Sequence, residues 1–146
     1  MFRGKYEHTI DPKGRLSIPA RYREELASRN IATLILSEGD HSVWAFPLDA
    51  WEAFEERLRQ QSQFSPERRN LARVMIASAR ECPVDRAGRT LVPPELRQFA
   101  GLEKDVMITG VLEHFEIWNR ARWDDHYQTL RGSFDEMTRK LSERGA

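Results

Sequence analysis

The segment from Asp11 to Arg23 returns 74 residues later as Asp85 to Arg97. Asp11-Pro12-Lys13-Gly14-Arg15-Leu16-Ser17-Ile18-Pro19 is matched by Asp85-Arg86-Ala87-Gly88-Arg89-Thr90-Leu91-Val92-Pro93, and Arg23 is matched by Arg97. Chance identity at ordinary residue usage runs at about 5–8% per position, so five identities (Asp, Gly, Arg, Pro, Arg) in thirteen positions mean duplication. Two copies are too few for a solenoid or propeller, which leaves a split, pseudo-symmetric fold for these 146 residues. What recurs is a glycine turn carrying cations, not a buried apolar face. The duplicated feature is therefore read as a contact surface.

Each copy opens with a strand, Lys5–Ile10 or Arg80–Val84, that leads into the Asp turn. Asp11 and Asp85 are expected to cap their turns by accepting bonds from backbone N–H groups two or three residues on. Gly14 and Gly88 supply the positive φ that closes each turn. The chain then reverses into a second strand and, at Pro19 or Pro93, enters a short helix. Two more strands follow in each half, 32–37 with 42–47 and 105–110 with 114–118, and a closing helix capped by Asp49 or Asn119. Trp51, Phe54 and Leu58 share one face of the first closing helix; Trp123, Tyr127 and Leu130 share one face of the second. The resulting division is a first unit at 1–64, a connecting helix at 65–78 with Leu71, Val74 and Met75 as its apolar stripe, a second unit at 79–130 and an amphipathic tail at 131–146 carrying Phe134, Met137 and Leu141.

Net charge is zero, but the charges are segregated. From Arg3 to Arg23 six Lys or Arg stand against Glu7 and Asp11, whereas all six ionised residues from Glu38 to Glu56 are acidic. The repeat turns are thus expected to face an anion, and the acidic segments solvent or a basic surface. No long apolar run or signal-peptide pattern occurs, so a cytoplasmic protein with no membrane partner is expected. The single Cys82 alternates with Val84 as a small buried residue would.

The four histidines (His8, His41, His114, His126) show no ligand spacing, so neither a metal nor another cofactor is expected. The four tryptophans sit at periodic helix positions or in apolar strands, which suits core or subunit interface better than base stacking. No phosphate-loop, zinc-protease or nucleophile-elbow motif is present, and neither catalysis nor a small-molecule substrate is expected. A lone D-x-x-G-R would be read as a hairpin with a solvated Arg. Two copies, with Lys13 and Arg86 added inside the turns, favour contact with phosphate or bases. An oligomer larger than a dimer is also expected, because each half exposes an aromatic closing helix that so small a chain cannot cover alone.

Four motifs occur in order: M-F-R-G-x-Y-x-H-x-x-D-x-K-G-R-x-x-x-P from Met1, R-x-x-x-x-x-A-x-E-C-x-x-D from Arg73 to Asp85, the second D-x-x-G-R, and E-I-W-x-x-x-x-W from Glu116. Together they resemble the MraZ family of bacterial transcriptional regulators, built from two tandem SpoVT-AbrB-type domains. The resemblance extends to about Leu130; the tail matches no family pattern.

The resemblance implies an α+β fold in which the two units form a swapped-hairpin β-barrel with peripheral helices. It further implies a ring-shaped homo-oligomer of eight or more subunits, nucleoid-associated, that binds double-stranded DNA at short G-rich direct repeats in the promoter of its own cell-division and cell-wall operon, as a repressor. The family's DNA-contacting D-x-x-x-R motifs fall on Asp11–Arg15 and Asp85–Arg89. The candidate DNA-binding residues are Arg3, Lys13, Gly14, Arg15, Arg86, Gly88 and Arg89, with Arg15 as main base reader. The alternative is an antitoxin-like interaction module, since SpoVT-AbrB domains also serve that role.

Overall fold

Strand exchange between the halves dominates the architecture of the computed structural model, which describes residues 1–145. The first strand, β1 (Lys5–Thr9), pairs with β7 (Asp105–Gly110) of the second half, Tyr6 opposite Ile108. The second, β2 (Arg15–Ser17), pairs with its own counterpart β6 (Arg89–Leu91) in a separate two-stranded ribbon. The expected local reversal is thereby corrected: within the first motif only one bridge, Ile10 to Leu16, joins the two strands across the Asp11 turn. A three-residue strand with a proline two residues beyond its end could hold little ladder of its own. Pairing β2 with β6 instead buries Leu16 and Thr90 together on one face.

The main sheet is antiparallel, in the order β1-β7-β8-β4-β3-β5. Its centre is β4 (Val43–Pro47) against β8 (Phe115–Asn119), with Trp44 opposite Glu116. Flanking these are β3 (Thr33–Glu38) and β7, each hairpin-paired within its own half. The edges are crossed over, since β5 (Arg80–Pro83) of the second half borders β3, as β1 borders β7. Neither half completes its own sheet.

Period-two alternation sends Leu34, Leu36, Val43, Ala45, Phe115 and Ile117 to one face, where the main core lies. Helices α1 (Ala20–Ser28) and α4 (Pro94–Ala100) close this face with Tyr22, Leu26, Leu96 and Ala100. Both begin directly after the repeated prolines, as expected, since a missing N–H costs nothing at a helix start. Phe2 completes the core, its ring edge-on to Tyr22 at 5.0 Å and Phe115 at 5.3 Å. The other sheet face carries α2 (Leu48–Arg59) and α5 (Arg120–Gly132). Trp51 of α2 and Trp118 of β8 are buried there, which agrees with a structural role for tryptophan.

Two local expectations change. Asn119 does cap α5, accepting from the Arg122 N–H at 3.0 Å, but α2 starts after Pro47, and Asp49 lies inside its first turn. Its carboxylate is taken by Ala50 N–H and the Arg29 guanidinium, the latter a cross-element pair invisible to local pattern. The connecting helix α3 (Pro66–Leu71) is capped by Ser65 and then widens into a π turn over Ala72–Ile76. Wider winding breaks the 3.6-residue register, so Met75 is buried while Leu71 and Val74 point to solvent. The tail does form an amphipathic helix, α6 (Phe134–Glu143), yet its apolar residues stay exposed. Cys82 is buried as expected, and burial pushes its thiol up to about 11, so it remains protonated at neutral pH.

Candidate nucleic-acid interface

Each Asp turn is organised by one carboxylate. Asp11 Oδ1 accepts from the N–H groups of Lys13 and Arg15, both at 2.9 Å, while the Gly14 N–H returns to the Asp11 carbonyl at 2.9 Å. In the second copy Asp85 Oδ1 accepts from Ala87 at 2.9 Å and Arg89 at 3.0 Å, with Gly88 returning to the Asp85 carbonyl at 2.9 Å. The capping role is as expected, with donors two and four residues on. Gly14 at φ +90° and Gly88 at φ +78° hold the left-handed conformation expected of them.

Those glycines also need their missing side chain. A Cβ on Gly14 would lie 2.9 Å from the Arg97 guanidinium carbon, and one on Gly88 would run into Arg23 Cδ. Arg23 and Arg97 form the fifth identity of the repeat, and sequence reasoning left them without a role. Each lies against the other half's glycine while its Nε donates within its own half, Arg23 to the Ile18 carbonyl at 3.1 Å and Arg97 to the Val92 carbonyl at 3.0 Å. Backbone bonds lock the exchange, Ile18 N–H to Gly88 C=O at 2.8 Å and Val92 N–H to Gly14 C=O at 2.9 Å. Each turn is positioned by the opposite copy.

The ribbon register places Arg15 opposite Leu91 and Ser17 opposite Arg89. Because Leu16 and Thr90 point inward, all four of these residues share the outer face. Arg15 and Arg89 are diagonal neighbours, about 7–8 Å apart at Cα by sheet geometry. The two motifs, 74 residues apart in sequence, thus meet on one surface. Arg15 is held by its Nε, 2.6 Å from Asp11 Oδ2, and its terminal guanidinium nitrogens make no hydrogen bond among the described residues. Arg89 is held more loosely, 3.7 Å from Asp85. Lys13 and Arg86 are exposed on the two turns. Arg3 does not join them: it lies beside Arg21 and Glu25, the length of β1 away from the Asp11 turn, roughly 20 Å.

The Arg15 N–H bond, then the Arg15 side chain and its charge, hold the Asp11 carboxyl below the usual carboxylate range. Asp85 is held low by the Arg89 N–H first and then by Ala87 N–H and the charges of Arg89 and Arg15. A carboxylate with a depressed folded-state pKa stabilises the fold above its unfolded value and loses that contribution as pH falls through the folded one. Acidification below the ordinary carboxylate range is therefore expected to loosen both turns. A urea titration at neutral and at acid pH checks this: the double variant Asp11→Asn, Asp85→Asn should lose less stability on acidification than the wild type.

The family described as "MraZ protein, putative antitoxin-like" matches this chain twice, over residues 1–74 and 75–144. Among its relatives, the transcriptional regulator MraZ of Desulfitobacterium hafniense (strain Y51) is 42% identical over 145 residues, 99% of each chain. That of Syntrophobacter fumaroxidans is 40% identical over 144 residues, covering 99% of this chain and 96% of the other. That of Heliobacterium modesticaldum is 42% identical over 141 residues, 97% and 96% of the two chains. With both copies matched by the family and relatives of this identity along nearly the whole length, the chain belongs to the MraZ family.

Proposed function

We propose that the protein is a DNA-binding transcriptional regulator that reads short G-rich direct repeats upstream of its own operon and represses it. The observation that carries this reading is the convergence of both D-x-x-G-R motifs on the outer face of the β2–β6 ribbon. A two-stranded ribbon fits the major groove, where an Arg fork pairs with guanine O6 and N7 and a Lys holds phosphate. Arg15 is the main base reader, Arg89 a weaker one, and Lys13 and Arg86 hold the backbone. Gly14 and Gly88, buried against Arg97 and Arg23, serve by shaping the turns that carry the arginines rather than by touching DNA themselves. Arg3 contributes at most a separate phosphate contact, given its distance from the ribbon. In this reading the exchanged sheet and ribbon are the swapped-hairpin barrel of the SpoVT-AbrB fold, divided as 1–64, 65–78, 79–130 and 131–146, and the protein works at the nucleoid.

One ribbon is a small footprint, and basic patches alone bind DNA at only about 10⁻⁴ to 10⁻⁶ M. A ring of subunits meeting repeated sites raises affinity through effective concentration. Phosphate contacts release counterions, so log K falls against log salt by about 0.9 per phosphate neutralised. With gel shifts on the upstream DNA across a salt series, the slope should be steeper, and the affinity more than statistically higher, on three repeats than on one. Equal slopes and affinities would remove the ring from the mechanism. Co-purification of a stoichiometric small protein on α6, whose apolar side is exposed, would favour the antitoxin-like reading instead.

A further inference from the structure

Arg23 and Arg97 each close a three-residue clamp across the seam between the halves. In one clamp the Ile18 N–H donates to the Gly88 carbonyl at 2.8 Å, the Ile18 carbonyl accepts from Arg23 Nε at 3.1 Å, and the Arg23 side chain lies against Gly88. In the other the Val92 N–H donates to the Gly14 carbonyl at 2.9 Å, the Val92 carbonyl accepts from Arg97 Nε at 3.0 Å, and the Arg97 side chain lies against Gly14. Three atoms of the Arg97 head stand at nearly one distance from the place a Gly14 Cβ would take, Cζ and Nε at 2.9 Å and Nη2 at 3.0 Å, so the flat face of the guanidinium is turned to the glycine. The Nε bond is the one hydrogen bond each head makes among the described residues.

Gly14 directly precedes Arg15, and Gly88 directly precedes Arg89. With no side chain and a positive φ, each glycine is the softest joint of its turn, and rotation there swings the arginine that follows. The Asp carboxylate braces that turn from one side through the Arg15 or Arg89 N–H. The clamp braces it from the other side with a rigid plane anchored in the opposite copy. A recognition group must be held to within about 0.5 Å by the residues behind it, and a flat guanidinium serves where a lysine chain would not.

The geometry points to Arg23 and Arg97 as positioning residues for base reading, crossed between the halves: Arg97 aims Arg15 through Gly14, and Arg23 aims Arg89 through Gly88. This rests on the reading of the ribbon as the DNA-contacting face. The clamp behind Arg15 is the better enclosed. Arg97 is half-buried and lines a cavity with Ile10, Pro12 and Leu102, whereas Arg23 is exposed.

The test uses full-length Arg23→Lys and Arg97→Lys, which keep the charge but lose the flat head. Hydrogen exchange read by mass spectrometry should show a crossed pattern. Arg23→Lys quickens exchange across Ala87, Gly88 and Arg89 and leaves Lys13, Gly14 and Arg15 as in the wild type; Arg97→Lys does the reverse. Preference for a single upstream repeat over a scrambled duplex should fall about tenfold with Arg97→Lys, the scale of one weakened base contact, and less with Arg23→Lys. Adding Arg23→Lys to Arg89→Ala should cost nothing further, because both act through one contact, whereas adding Arg97→Lys to Arg89→Ala should cost its full factor. Exchange that quickens in both turns alike, or Lys variants that keep the wild-type preference, overturns the proposal. So does a full added loss when Arg23→Lys joins Arg89→Ala, since Arg23 would then act on its own, as a phosphate contact does. A lowered melt with exchange quickened along the whole chain would assign the pair to stability alone and overturn it as well. A wild type with no preference for the upstream repeat overturns the DNA reading itself; a wild type with that preference but an uncrossed exchange pattern overturns the clamp assignment alone.

Discussion

Arg15→Ala is expected to abolish sequence-specific binding to the upstream DNA while leaving the thermal melt of the protein unchanged. The fold should tolerate it because the Arg15–Asp11 pair is substantially solvent-exposed, and screening by water leaves such a pair little part in stability. Binding should not, because a bidentate guanine contact is worth about 1–3 kcal/mol, and a multi-subunit assembly multiplies the loss over every engaged site. Arg89→Ala should weaken binding less. Its guanidinium lies farther from its Asp partner and is less firmly aimed. Gel shifts with specific and scrambled DNA separate the outcomes: an Arg15→Ala protein that still prefers its own upstream sequence by the wild-type factor would remove Arg15 as the base reader.

The largest stability loss is expected from Phe2→Ala, at about 3–5 kcal/mol. Phe2 is 1% exposed despite being the second residue of the chain. Its backbone bridges to Leu112 of the second half, with paired bonds of 2.8 and 2.9 Å, and its ring fills the space between Tyr22 and Phe115. Removing it leaves a cavity among rigid neighbours at the seam where both copies meet. Denaturant unfolding should show a single transition at much lower midpoint. A loss below about 1 kcal/mol would mean that the N-terminal segment is not part of the cooperative core.

Local chemistry was legible wherever a residue acts within its own turn. Asp11, Gly14, Asp85 and Gly88 behave as their types and spacing require, because an Asx-organised turn with a left-handed glycine involves only neighbours in sequence. The helix starts at Pro19 and Pro93 and the Asn119 cap are legible for the same reason. Asp49 misled because its partner, Arg29, comes from another helix. The stripe of Leu71, Val74 and Met75 misled because a π turn abandons the periodicity on which the reading rested.

By itself the sequence determined that one unit is used twice, that each use carries an Asp–Gly turn with an arginine near its start, and that those turns carry cations. It could not say which copy each strand would pair with. Backbone hydrogen bonds are indifferent to sequence, so exchange of β1 and β5, and the pairing of β2 with β6, are decided only when the whole apolar set is buried at once. That choice places Arg15 and Arg89 on one face and sets Arg23 and Arg97 beneath the opposite turns. The proposed contact residues were written in the chain, but the surface they share exists only after the two copies interlock.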